Sequence, residues 1–188
     1  HYSAFFGLNS KSIQNLESCI KTFYARYSEF EFILESLWNH KRDTSFSHNQ
    51  ITTIIDMMAH IACKKGFPNN TKYQDLIKDW CQYKYMEDYI RKLAKPFVKL
   101  YNKNTKMSNL GTDISNVRAL FIHFDKLSFE ALKYSNLIKL YYIFELICLD
   151  YLLQEIGIDK KICANYRNRN LLQIDDGSLR KHFLRKRK

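Results

Sequence analysis

Apolar positions recur at three- and four-residue steps through most of the chain, and that period predicts helices. Leu16, Ile20, Phe23, Tyr27, Phe30, Leu34 and Leu37 or Trp38 form one stripe, predicting a helix over 12–41 capped by Ser10 or Ser12. The polar stretch HKRDTSFSHNQ ends it. Ile51, Ile54, Ile55, Met58, Ile61 and Ala62 predict a second helix over 49–65, stopped by Gly66 and Pro68. A third, over 71–101, carries Leu76, Trp80, Tyr83, Met86, Tyr89, Ile90, Leu93, Phe97 and Leu100, with Pro96 expected to kink or divide it.

After the polar loop NKNTKMSNLGT, Asp113 or Ser115 is expected to cap a short helix reaching Lys126. Ser128 is expected to cap the next, which runs to about 156. Its apolar residues, from Leu132 to Leu153, cover most of the circumference. A helix apolar on nearly every side must be buried on several, at the centre of a bundle or at an oligomer interface. Gly157 suits the left-handed residue that closes such a helix. Lys139, Glu145 and Asp150 break the apolar run, so it reads as a core helix and not a membrane span. Nothing alternates as a strand would. The fold class is all-α, a bundle of about five to six helices.

Composition agrees with that reading. The 188 residues contain 5 Gly and 2 Pro, too few for a turn-rich β fold, and 46% are hydrophobic, enough for a substantial core. The opening at His1, without Met or a signal pattern, suggests part of a longer protein. Five widely spaced cysteines without a C-x-x-C pair fit buried thiols in a reducing, cytoplasmic compartment. His60 and Cys63 have a metal-like spacing but no second pair, so no metal site is expected.

The net charge of +11 changes the picture more. Residues 160–188 hold ten Lys/Arg against two acids, whereas residues 1–159 hold twenty against seventeen. We therefore divide the chain into a bundle over 1–160 and a basic extension over 161–188. The extension suits a polyanion, and nucleic acid better than a membrane because it lacks an apolar face. Its last eight residues, KHFLRKRK, equally suit a solvated end.

Candidate chemistry is confined to one short stretch. Arg118 and His123 stand just ahead of the most apolar helix. An arginine followed by a histidine after four to six residues is common, with about 0.9 matches expected by chance in this composition. Arg42 and His48 make a second match, in a polar loop that holds nothing in a fixed geometry. Five residues along a helix is about 140° of rotation, so Arg118 and His123 do not share a face. A working site needs a local distortion, or two copies facing each other.

The stretch VRALFIHFD, followed by a long apolar helix closing in LLQEIGI, resembles the catalytic region of the HEPN superfamily, and most of all its ApeA-like branch of anti-phage and abortive-infection proteins. Phe32-Ile33-Leu34-Glu35 is similar to the family's apolar first helix with its embedded glutamate. The likeness spans roughly residues 20–160, and the Arg-His-helix block is its most specific part. It implies a homodimeric, metal-independent endoribonuclease without cofactors, the effector of a defence or toxin-type protein whose sensor lies elsewhere in a longer chain. Arg118 would clamp phosphate and His123 carry protons, supported by Asn116, Glu35 or Asp125. RNA would be tracked by Lys160, Lys161, Arg167, Arg169, Arg180 and Lys181, with Tyr166 stacking on a base. The family carries Asn, Asp or His after the arginine, whereas this chain has Ala119. A non-catalytic module that binds nucleic acid or dimerises is therefore the competing expectation. In that case Arg118 pairs with an acid such as Glu35 or Asp125, and His123 is a hydrogen-bonded core residue.

Overall fold

The computed structural model describes residues 16–42, 48–81, 84–101, 109–123 and 134–174. Their regular structure is entirely helical: α1 (Leu16–Ala25), α2 (Tyr27–Arg42), α3 (His48–Lys64), α4 (Lys72–Trp80), α5 (Lys84–Tyr101), α6 (Leu110–His123), α7 (Tyr134–Glu155) and α8 (Lys160–Ile174). The all-α reading holds. Among the described residues there are eight helices where five to six were expected, because two expected helices are each interrupted and the basic end forms one of its own.

The first interruption is at Arg26. Its amide still bonds back to Thr22 O (3.1 Å), while Glu29 N donates to its carbonyl (2.9 Å), so the chain turns there without losing its period. The Arg26 side chain holds the turn. It donates to Glu29 Oε2 at 2.8 Å, to Glu155 Oε2 at 2.9 Å and to the Glu155 carbonyl at 3.2 Å, with the guanidinium 5.0 Å from the Phe30 ring centroid. Two carboxylates raise the Arg26 pKa, Glu29 first and then Glu155. The second interruption is at Cys81, whose φ of −134° and ψ of 103° are extended. Pro96, expected to kink or divide the helix, lies inside α5 and does not divide it. The carbonyl that loses its intrahelical donor belongs to Lys92, an exposed position where water can serve instead.

The cap of α6 is also corrected. Asn109, not Asp113 or Ser115, accepts from Thr112 N (2.8 Å) and from Thr112 Oγ1 (3.0 Å) through Oδ1. Asp113 is instead buried and receives a bond from Arg91 Nε at 3.2 Å. Ser128, the expected cap of α7, lies outside the described residues. The far end of α7 closes as expected: Gly157 takes φ +93°, Ile158 N donates to Leu153 O (2.9 Å) and Gly157 N to Gln154 O (3.0 Å). That bond pair is a Schellman motif, with Leu153 and Ile158 meeting in one buried cluster. Gly66, at φ +75°, closes α3 in the same way.

Two compact units divide the chain: residues 33–148, and residues 1–32 with 149–188. In the first, α6 packs on α5, α3 and α4, around a core including Ile55, Met58, Leu76, Phe97, Ile114 and Leu120. In the second, Cys19, Leu153, Ile158 and Cys163 form a cluster against which Ile156, Ile162 and Tyr166 pack. Cys163 of α8 thus belongs to the same cluster as Leu153 of α7. Along α7, Leu137, Leu140, Ile143, Phe144, Ile147 and Cys148 are all buried within a single chain, so its apolar character needs no second copy to cover it. No described helix is long and apolar enough to cross a membrane.

Candidate functional site

Arg118 and His123 both lie on α6, an unbroken helix, so the distortion that would bring them onto one face is absent between them. Arg118 projects at the level of α3 and α4. Its Nε donates to Asp56 Oδ1 at 2.6 Å and its Nη2 to Asp56 Oδ2 at 3.4 Å. The two side chains are 40% and 43% exposed, so this pair stands at a wet surface. A two-point bond of this kind fixes the plane of the guanidinium as well as its position. The bond to Asp56 raises the Arg118 pKa, outweighing partial burial, so the guanidinium is charged at any working pH.

Tyr73, on α4, is buried beside the pair. Burial raises its phenol pKa, the Arg118 charge works against that, and Asp56 reinforces it. Lys72 Nζ lies 5.1 Å from the Tyr73 ring centroid. Thus Asp56, Tyr73 and Arg118 meet from three helices. His123, the last residue of α6, is exposed, as is its neighbour Ile122. The expectation of a core histidine does not hold.

The other expected site residues scatter. Asn116 is half-buried on α6, and Glu35 is exposed on α2. Asp125 lies outside the described residues. Among the described residues the acid that pairs with Arg118 is not Glu35 but Asp56. Its signal in the sequence is a lone carboxylate in the apolar run ITTIIDMMAHIA. Such an acid needs a partner, and the sequence does not say which.

The basic residues divide in two. Lys160, Lys161 and Arg169 of α8 are exposed and available to a polyanion. Arg167 turns inward and donates from Nη1 to Asp150 Oδ2 at 2.9 Å, with Asp150 only 1% and Arg167 17% exposed. Tyr166 is partly buried against the Cys19 cluster. Arg180 and Lys181 lie outside the described residues. Among the described residues no three His, Cys, Asp or Glu side chains are grouped to share a metal ion. Comparison with family models, with curated proteins and with solved structures found no match.

The chemistry open to this surface follows from two groups. A held, half-exposed guanidinium can bind a phosphate, and a solvent-facing imidazole offers two ring nitrogens for hydrogen bonding.

Proposed function

We propose that this chain is a metal-independent endoribonuclease of the HEPN type, working as a homodimer on RNA in the cytoplasm. It would be the effector portion of an anti-phage or toxin-type protein. In the reaction the ribose 2′-oxygen attacks the adjacent phosphorus and the bond from phosphorus to the 5′-oxygen breaks. A 2′,3′-cyclic phosphate and a 5′-hydroxyl result. His123 carries the proton lost by the 2′-hydroxyl or gained by the leaving oxygen, a role worth about 10²–10⁴-fold. Arg118 neutralises charge on the phosphate as it becomes pentacoordinate, a contribution of about 10²–10³-fold. One copy presents the two groups about 140° apart around α6, so a second copy completes the cleft.

The observation that carries this reading is that α6 leaves both Arg118 and His123 open to solvent while Asp56 holds the arginine in one orientation. Incubating the protein with RNA in EDTA and analysing the ends tests it. Cyclic phosphate termini that vanish in Arg118→Ala and His123→Ala support it, and undiminished cleavage in both variants removes it.

One observation favours the second reading, a non-catalytic module binding nucleic acid. Asp56 already occupies two donors of Arg118, and Ala119 supplies no polar group after it. That reading predicts salt-sensitive RNA binding without any cleavage.

A further inference from the structure

Asp56 occupies one particular edge of Arg118. Nε and Nη2 form the side-on fork of a guanidinium, and both are directed to one carboxylate. The opposite fork, Nη1 with the second hydrogen of Nη2, points past the tip of the side chain. Among the described residues no hydrogen bond engages Nη1. Asp56 and Arg118 are sixty-two residues apart and come from different helices, so the packing of α3 on α6 sets the arrangement. Tyr73, buried on α4, lies close enough for its phenol to feel the charges of both Arg118 and Asp56.

A lone surface ion pair contributes little to stability, because solvent screens it and two long side chains must be held. What a side-on pair does well is select one orientation of a planar group. An untethered arginine samples many rotamers, and each turn about its last bonds carries the outer fork away from a bound phosphate. A tethered one presents that fork continuously, so less order has to be imposed when the phosphate arrives.

We infer that Asp56 is a positioning residue: it holds the side-on edge of Arg118 so that the outer fork stays free for one phosphate of a bound RNA strand. This rests on the ribonuclease reading of the same site, and it adds a residue and a specific edge of the arginine to it. The carboxylate remains bonded to arginine throughout and transfers no proton.

Two measurements test it. The first compares cleavage by the full chain carrying Asp56→Ala or Asp56→Asn. Asp56→Ala removes the tether and lowers kcat by about 10- to 100-fold, with KM changed less. Asp56→Asn keeps an oxygen that accepts from Nε–H, and it recovers most of the loss. A purely structural role moves neither kcat nor this order. Equal rates in wild type and Asp56→Ala, or equal losses in both variants, overturn the inference.

The second measurement does not need cleavage. The ¹⁵N–¹H signal of the Arg118 Nε–H group, assigned by its loss in Arg118→Lys, is followed as a 2′-O-methyl RNA oligonucleotide is added. In wild type the signal is slow to exchange and shifts on addition. In Asp56→Ala it exchanges too fast to observe. A wild-type signal that is already fast, or that ignores the oligonucleotide, overturns the inference. Absent cleavage with a shifting signal removes the ribonuclease reading and leaves the tethered fork standing as a phosphate-binding group.

Discussion

Replacing Arg167 by Met tests whether α8 belongs to the fold or serves only as a basic arm. Asp150 is 1% exposed and Arg167 17%, with Nη1 to Oδ2 at 2.9 Å. Removing one partner of a buried ion pair costs about 3–5 kcal/mol, because the remaining charge stays desolvated. Asp150 keeps a bond from Gln154 Nε2 at 3.2 Å, which places the loss at the lower end, about 3 kcal/mol. That is roughly a hundredfold in the folding equilibrium. Urea unfolding followed by far-UV circular dichroism reads it directly. Asp150→Asn combined with Arg167→Met removes the stranded charge and returns stability to within about 1 kcal/mol of wild type. Arg169→Met, at an exposed position two residues on, changes stability by about 0.5 kcal/mol or less. If Arg167→Met behaves like Arg169→Met, the pair does not anchor α8 and the reasoning fails.

Two further outcomes follow from the closing turn of α7 and from the thiols. Gly157→Ala destabilises by about 1–2 kcal/mol through its φ of +93° alone, since an added Cβ would meet only Cys19 Sγ at an ordinary 3.8 Å. A midpoint unchanged in urea contradicts the Schellman closure. Burial first, then Asp150, pushes the Cys163 thiol up to about 12, and burial followed by Glu145 raises Cys148 as well. At pH 8 only about 10⁻⁴ of Cys163 is thiolate, so iodoacetamide modifies the exposed Cys63 and spares Cys148 and Cys163 until the chain unfolds. Equal labelling of all three, read by peptide mass spectrometry, contradicts the buried placement.

What the sequence makes legible is local. The 3.6-residue period marks the helical regions as far as α7 but not α8, whose apolar residues are scattered, and Gly66 and Gly157 mark two ends, because a left-handed residue after an apolar run is decided within a single turn. Interactions across long separations are what it hides. The break at Arg26 depends on Glu155, 129 residues away, and the hydrophobic stripe passes through it unaltered. Asn109 caps α6, while Asp113, an equally good cap by type, lies inside the first turn, buried and bonded to Arg91. Arg167 reads as a free cation until Asp150 is seen beneath it.

The candidate site divides in the same way. The positions of Arg118 and His123 on one helix ahead of a buried one are visible in the chain order. The partner of Arg118 is not, since Glu35 and Asp56 are alike as carboxylates and only packing chooses between them. The solvent-facing position of His123 is equally invisible, because it follows from where α6 ends.

The most direct test is the single-turnover cleavage rate of an RNA oligonucleotide in EDTA, compared between wild type and His123→Ala. The account predicts a 2′,3′-cyclic phosphate product from wild type, and a rate at least about 10²-fold lower from the variant at unchanged RNA affinity. Cleavage by the variant at the wild-type rate, or RNA bound by wild type and left intact, would contradict it.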